Sequence, residues 1–181
     1  MLFLSLITKR RSIRKFLKKE LETDKINLLI EAALRSPSSR GLNPWRFIFV
    51  TDQALLDRLS KAKKSGSTFL KSAPLGIVVC GDPDVSDVWI EDASIASTFV
   101  LLAAESMGLG ACWIQIRQRM HDDKETAQSY VSRVLGIPEG LEVEAILTVG
   151  YPDEKKPSHR KDELEYEKVY LNLYGKKSSG L

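Results

Sequence analysis

Apolar residues recur at helical spacing in several stretches of the chain. After Thr23, a predicted N-cap, they form one stripe for burial: Ile26, Leu29, Ile30, Ala33 and Leu34. Further helices are predicted over residues 2–10, about 53–64 and 123–135. The stretch from Asp92 to Met107 is apolar almost all round, so we expect a helix buried on every side, within the domain or at a subunit interface.

Runs of apolar, aromatic and β-branched residues predict strands over Trp45–Thr51, Pro74–Asp82, Ala111–Ile116 and Glu142–Pro152. The second run is almost entirely apolar, as expected when both faces of a sheet are covered. Helices and strands alternate without internal repeats or an obvious linker, which leaves α+β and α/β arrangements open. The apolar helix and a tail rich in Tyr and Leu exceed what one small core needs, so a dimer is expected.

The composition limits the classes of partner. The chain has 181 residues, enough for one full core and short for two domains. Its net charge of +3 is too small to indicate nucleic acid as a partner by itself. No stretch approaches the roughly 18 apolar residues of a membrane span, and the opening MLFLSLITKRR carries its charges after the apolar run, the wrong order for a signal peptide. We therefore expect a cytoplasmic protein with no nucleic-acid or membrane partner.

Cysteine and histidine give no pattern for metal binding or nucleophilic catalysis. Cys80 and Cys112 both lie in apolar runs, which favours buried reduced thiols over a disulfide. There is no C-x-x-C spacing, and the two histidines, His121 and His159, are expected at the surface. We predict no metal site and no catalytic residue from the chain itself.

The segment KRRSIRKF, from Lys9 to Phe16, concentrates positive charge near the N-terminus. The usual explanation of such a cluster is a solvated surface near a helix C-terminus. A nucleic-acid surface would need aromatic platforms or a second basic stripe, and only Phe16 is adjacent. A seat for one phosphate is the third interpretation, because Arg binds phosphate through two parallel N–H bonds. Arg10 and Arg14 would share a face in a helix, whereas Ser12 and Arg14 would share one in an extended segment.

A second motif, SPSSRGLNPW, follows about thirty residues later. Taken alone it is a plain helix–strand connection held by two prolines. Paired with RRSIRKF, and followed by GLGACWI after the apolar helix, TVGYP on the last strand and an Arg beyond it, the motif resembles the FMN-dependent nitroreductase family in its small type of about 180 residues. The resemblance covers nearly the whole chain and depends on the order and spacing of the motifs.

The resemblance implies an α+β homodimer in which a central mixed sheet is flanked by helices. Residues 1–181 would form one nitroreductase-like domain, and the tail from about residue 160 would be an arm that crosses to the partner subunit. Two bound FMN molecules would lie at the dimer interface, each touched by both chains. The apolar tail residues would then dock on the partner: Tyr166, Val169, Tyr170, Leu173 and Tyr174.

The resemblance also implies which residues bind the cofactor. The phosphate and ribityl site would be formed by Arg10, Arg11, Ser12 and Arg14, with Arg14 near the pyrimidine edge, where it would stabilise the reduced anionic flavin. The second subunit would contribute Pro37, Ser38, Ser39, Arg40 and Asn43. The backbone facing the flavin N5 would come from Ile114, Gln115 and Ile116. Arg160 matches a late phosphate-binding Arg.

The chain departs from the family pattern at several positions. Gly41 and Asn43 stand where Asn and Gln are commoner, and Ser158 stands where a Lys commonly accompanies the late Arg. In SGSTFLKSAP, where some members place a Lys or Asn, no residue is assigned; the available ones are Ser65, Thr68 and Lys71. The chain also lacks room for the inserted helices that cover the active site of larger members.

The implied activity is an FMN-dependent oxidoreductase that uses NAD(P)H to reduce nitroaromatic, quinone or related small acceptors. The hydride transfer would be ping-pong, with donor and acceptor using the same place in turn. The alternative is a flavin-binding sensor or carrier without efficient turnover, which the same phosphate site would serve. A basic nucleic-acid module is a third and weaker interpretation.

Overall fold

The computed structural model describes residues 3–176 and contains one sheet with the strand order β1-β2-β4-β3. The strands are β1 (Trp45–Val50), β2 (Leu75–Gly81), β3 (Gly110–Gln115) and β4 (Glu142–Gly150). All neighbouring strands are antiparallel. A parallel pairing, the isolated bridge between Ser12 and Ala111, extends the sheet beyond β3. The strands match the predicted ones, with ends shifted by one or two residues.

The α-helices of the described residues are α1 (Phe3–Lys9), α2 (Thr23–Leu34), α3 (Gln53–Leu59), α4 (Trp89–Ser106) and α5 (Ala127–Leu135). Each predicted helix is present. Leu2, which the prediction included in the first helix, lies outside the described residues. None of the helices between residues 3 and 176 is both long enough and apolar enough for a membrane span.

Different helices cover the two faces of the sheet. Leu29 of α2 and Val100 of α4 share one buried cluster with Leu147 of β4. Leu56 of α3 shares a cluster on the other face with Ile146 of β4. Every residue of β2 is buried, because β1 and β4 flank the strand and helices cover both of its faces. The prediction of a doubly covered strand is confirmed.

Two helices differ from the prediction in their caps and ends. The N-cap of α2 is Glu22 rather than Thr23. Leu34, predicted in the buried stripe of α2, is 56% exposed. α3 ends at Leu59 rather than near residue 64, because the backbone tightens there into turns with i→i+3 hydrogen bonds.

α5 begins four residues later than predicted because local side chains form a turn first. The Asp122 carboxylate accepts the backbone N–H groups of Lys124 and Glu125, at 2.7 and 2.8 Å. The Thr126 hydroxyl then caps the first turn of α5. Asp and Thr favour these local bonds over a helix interior, so the helix starts only at Ala127.

α4 begins at Trp89, before the predicted Asp92, and it is not buried on every side within one chain. Ile95 and Phe99 are 39% and 40% exposed on its outer surface. Burial at a subunit interface, the second alternative for this helix, stays a prediction.

The two cysteines are free thiols in the interior, as predicted. Burial raises the pKa of Cys80 to about 12 and also raises the pKa of Cys112.

Since only the thiolate reacts rapidly, we expect almost no labelling of the native protein by a chromogenic disulfide reagent at mildly alkaline pH, and labelling of both thiols in denaturant. Fast labelling of native Cys80→Ala protein would show that Cys112 is accessible and would contradict this prediction.

Candidate functional site

The basic segment, Arg10–Phe16, is extended and lies between β3 and the chain that follows β4. Ile13 N–H donates to the Ala111 carbonyl on one side, at 3.0 Å. On the other side, Asp153 N–H donates to the Lys15 carbonyl at 2.9 Å. α1 ends at Lys9, so the extended alternative of the two predicted conformations is the one found.

A glycine allows the basic segment to approach β3 closely. A Cβ placed on Gly110 would lie 2.7–2.9 Å from the side chain of Ile13. Ile13 and Phe16 are both buried, which anchors the segment in the core of the sheet's α3/α5 face. The intervening polar side chains therefore have a fixed backbone beneath them.

The polar residues of the basic segment line a cavity of about 290 Å³. The lining residues are Arg10, Arg11, Ser12, Arg14, Lys156 and His159. The structure thus brings the four residues predicted from the RRSIR motif to one place. It adds two residues from the charged stretch after β4.

Lys156 is a site residue that the sequence analysis missed. Its Nζ donates to the Ser12 carbonyl, and it lies 3.6 Å from a carboxylate oxygen of Glu154. That Glu154 carboxylate also accepts the backbone N–H groups of Arg14 and Lys15. These bonds, the Arg14 N–H foremost, lower the pKa of Glu154. Ser158 stands where the family commonly has a Lys; in this chain an ammonium group comes from Lys156, two residues earlier.

Cys112 provides a second indication that these cations converge. Burial raises the pKa of its thiol, while the Arg14, Lys156 and Arg10 charges and a hydrogen bond with Ser12 oppose that rise. Cys112 lies on β3, so this strand is close enough to the basic segment for these charges to act on its thiol.

The segment SGSTFLKSAP, in which no flavin-binding residue was assigned, contributes an aromatic ring to this region. The Arg14 guanidinium carbon lies 5.8 Å from the centre of the Phe69 ring. Lys63, four residues beyond the end of α3, is half-buried; burial and the Arg119 charge lower its pKa, and Cys112 opposes this. Lys71, the Lys of SGSTFLKSAP, is exposed.

The outer edge of β3 carries backbone groups that no strand of residues 3–176 pairs beyond the Ser12 bridge. The Ala111 carbonyl points out of this edge to Ile13. Because backbone groups alternate between the two sides of a strand, those of Trp113 and Gln115 point out of the same edge.

The side chains of the predicted WIQI segment are already occupied. Ile114 and Ile116 are buried in the core. Gln115 accepts the Trp113 indole N–H at 2.9 Å and donates to the Glu144 carboxylate at 3.3 Å. Burial raises the pKa of Glu144, and the Gln115 bond opposes the rise. The backbone is therefore the part of this segment that is free to bind a ligand.

The serine loop, Pro37–Asn43, has a defined conformation at the start of β1. The Ser38 hydroxyl donates to Asn43 Oδ1 at 2.7 Å and accepts the Asn43 N–H at 3.0 Å. Arg40, Gly41 and Asn43 all have positive φ angles, of 52°, 67° and 50°. Ser39 N–H donates to the carboxylate of Asp92 at 2.8 Å, a contact that the sequence analysis did not foresee.

The basic segment and the serine loop lie at diagonally opposite corners of the sheet. The first flanks β3 and the second precedes β1, and these are the two edge strands, three strand spacings or about 14 Å apart. The serine loop leads into Trp45, which pairs with Gly81, whereas Ala111 is level with Leu75 through β4. The stretch from Leu75 to Gly81 adds about 20 Å along the strands. One chain does not build a single pocket from both motifs.

Arg160 does not line the cavity in this structure. Its guanidinium pairs with Asp162, with Nε at 2.9 Å from Oδ1, and both side chains are exposed. The neighbouring His159 lines the cavity, and its backbone N–H donates to the Thr8 carbonyl at 3.0 Å. A phosphate role for Arg160 stays a prediction.

Comparison with known proteins assigns the chain to a family. A sequence profile of the nitroreductase family matches residues 7–71 and 61–151. The chain belongs to the nitroreductase family. This family member is 34% identical over 164 residues to a protein of Archaeoglobus fulgidus provisionally named NADH dehydrogenase/NAD(P)H nitroreductase, and the match covers 88% of the chain and 91% of that relative.

Two further comparisons support the assignment. A solved structure of an FMN-dependent nitroreductase from Clostridium difficile R20291 is 45% identical, with a TM-score of 0.93 over 94% of this chain and 99% of that one. The NADPH-flavin oxidoreductase of Vibrio harveyi is 29% identical over 185 residues, which cover 92% of this chain and 74% of that protein. The predicted α+β nitroreductase fold is confirmed, and the nitroreductase-family protein is an oxidoreductase.

Proposed function

We propose that this nitroreductase-family protein is an FMN-dependent enzyme that uses NAD(P)H to reduce nitroaromatic, quinone or related small acceptors by ping-pong hydride transfer. The observation that supports the proposal best is the cavity beside β3, where Arg10, Ser12, Arg14 and Lys156 converge. A relative of the same length class, with 45% identity, is named as FMN-dependent.

The residues at the cavity fit the phosphate of FMN. A phosphate monoester carries nearly two negative charges and three acceptor oxygens, which match guanidinium, ammonium and hydroxyl donors. Arg11 and Lys156 already donate to the backbone carbonyls of Pro157 and Ser12, so their heads are held in place before the ligand arrives. This preorganisation reduces the entropy lost on binding.

The remaining flavin contacts are proposed from the same arrangement. Arg14, held over Phe69, would face the pyrimidine edge, and the free backbone at Gln115 would face N5. The serine loop would come from the partner of a homodimer, because its own chain holds it at the opposite corner of the sheet. We also propose that the tail from about residue 160, with Arg160, is an arm that docks on the partner. Its exposed apolar residues, such as Leu173 and Tyr174, would be covered there.

When bound, FMN supplies the hydride chemistry between NAD(P)H and the acceptor. The chain's own residues bind and orient the cofactor. The Arg14 guanidinium would supply positive charge where negative charge develops on reduction, and the backbone N–H groups at the edge of β3 would hold the flavin ring in place. We propose the cytoplasm as the compartment, because both cysteines are buried free thiols.

The proposed function is tested by an absorption spectrum of the purified protein, followed by one cycle of reduction by NAD(P)H and reoxidation by an acceptor. The purified protein is expected to be yellow, to release FMN on denaturation and to bleach with NADH or NADPH. Colour is expected to return when a nitroaromatic or a quinone is added without oxygen. Bound FMN that NAD(P)H does not bleach would favour a sensor or carrier. A colourless protein that does not bind added FMN would refute the proposal.

Lys156→Met is expected to weaken FMN binding by at least about 10-fold, because a charge-assisted contact to the phosphate is lost. Lys155→Met is the matched control: Lys155 is adjacent, exposed and outside the cavity lining. Fluorescence titration of each apoprotein with FMN measures the dissociation constants of the two variants. Equal affinities of the two variants would contradict the placement of Lys156.

A further inference from the structure

Asp92 is a buried carboxylate that holds the serine loop. It lies in the first turn of α4 and is only 2% exposed. One oxygen accepts the Ser39 N–H at 2.8 Å, and the other accepts the Ser86 hydroxyl at 3.2 Å. A buried carboxylate needs such partners, and both of its oxygens have one.

The conformation of the serine loop depends on outside support. Arg40 and Asn43 have positive φ angles, which non-glycine residues rarely adopt. The Arg40–Asp87 ion pair is largely exposed, at 68% and 82% of the two side chains, so it contributes little. The hydrogen bond from Ser39 N–H to the buried Asp92 carboxylate ties the serine loop to α4.

Asp92 is remote from the phosphate cavity of its own chain. The serine loop lies at the β1 corner of the sheet, and the cavity lies at the opposite corner beside β3. Within one chain, Asp92 therefore makes no contact with the residues that line the cavity.

We propose that Asp92 is a positioning residue that acts in trans: it fixes the serine loop of one subunit for the FMN bound mainly by the other. This inference rests on the proposed function, and it assigns to a buried helix residue a role in the neighbouring subunit's cofactor affinity. Asp92 itself touches neither cofactor nor substrate; it acts through Ser39.

Single variants test the anchoring step. Asp92→Ala is expected to form a dimer that binds FMN at least about 10-fold more weakly, because the serine loop loses its hydrogen bond to a charged acceptor. Asp92→Asn keeps an oxygen for Ser39 N–H and an amide for Ser86 Oγ, so it is expected to restore most of the affinity. Glu91→Ala, an exposed neighbour on the same helix, is the control and should leave the affinity unchanged. Unchanged affinity in a dimeric Asp92→Ala protein would overturn the inference.

Ser39→Pro removes the same hydrogen bond from the loop side and serves if Asp92→Ala does not fold. Ser38 already has φ −138° and ψ 159°, the extended conformation that residues before proline adopt. The variant leaves the carboxylate of α4 in place with its Ser86 bond. Wild-type FMN affinity in this variant would also overturn the inference.

Mixed dimers test the action in trans. One subunit carries Arg10→Ala and Arg14→Ala, the other carries Asp92→Ala, and two affinity tags allow the heterodimer to be isolated. At an FMN concentration above the wild-type Kd and below that of the Asp92→Ala protein, each homodimer is expected to be nearly colourless. In the heterodimer, the intact basic segment of the Asp92→Ala subunit meets the intact serine loop of its partner, so one FMN per dimer is expected. A colourless heterodimer would refute action in trans. Full FMN in the Arg10→Ala/Arg14→Ala homodimer would instead refute the proposed phosphate site, so the two failures are distinguishable.

Discussion

Replacing Arg10 and Arg14 together with alanine is expected to give a folded protein that purifies without FMN. Two guanidinium groups of the cavity beside β3 are removed, and with them up to four charge-assisted hydrogen bonds. Losses of this kind correspond to an increase in Kd of at least about 100-fold. The fold should survive because neither side chain is part of the buried core, and because removing two cations relieves repulsion with Lys156.

The measurement is the ratio of flavin to protein absorbance after purification, with circular dichroism to confirm the fold. The matched control replaces Arg35 and Arg58, two arginines outside the cavity lining, with alanine, and it should keep the wild-type colour. Stoichiometric FMN in the Arg10→Ala/Arg14→Ala protein would contradict the proposal that the phosphate binds at this site. Loss of colour in both double variants would show that net charge, rather than position, controls binding.

Phe16→Ala is expected to lower the free energy of unfolding by about 3–5 kcal/mol, the usual cost of deleting a buried aromatic ring. Phe16 is 6% exposed, belongs to the core cluster on the α3/α5 face and bridges to Pro152. Its ring packs where a Cβ on Gly150 would come within 2.9 Å. The cavity left by the ring would also loosen the end of the basic segment.

Phe16→Ala is therefore expected to weaken FMN binding as well as stability, although Phe16 touches no ligand. Leu17→Ala is the control, because Leu17 is adjacent and 44% exposed, and its change should stay within about 1 kcal/mol. Chemical denaturation of the apoproteins measures the difference. FMN at 100 times its Kd should raise the stability of each protein by about 2.7 kcal/mol, which checks that the folded state is the one that binds. Equal stability of the two apoproteins would show that Phe16 does not anchor the segment.

The hydrophobic periodicity of the sequence identified those helices and strands whose conformation depends mainly on the burial of their side chains. β2 is apolar at nearly every position and is buried at every position, so its assignment needed no knowledge of its neighbours. Helix ends were less predictable, because they depend on particular hydrogen bonds. The Asp122 carboxylate holds a turn that delays α5, and Glu22, not Thr23, precedes α2.

The part of the site formed by residues close together in the sequence was predictable. Arg10, Arg11, Ser12 and Arg14 are close in sequence, and an extended backbone brings them to one cavity. Their partners were not predictable from spacing. Lys156 reaches Ser12 from a segment at the other end of the chain, and its position among several lysines gave no reason to choose it.

The sequence by itself determined the kinds of element, the covered sheet and the cationic donor set, because those properties follow from residue type and short-range repetition. Only the tertiary structure decided that Lys156 and Glu154 join the basic segment, and that Asp92 anchors the serine loop. It also decided that the two ligand-binding motifs stand at opposite corners of one chain. Contacts between distant residues depend on strand order and register. A local hydrophobic pattern restricts the register to shifts that keep the same face buried, but it does not specify which strands are neighbours.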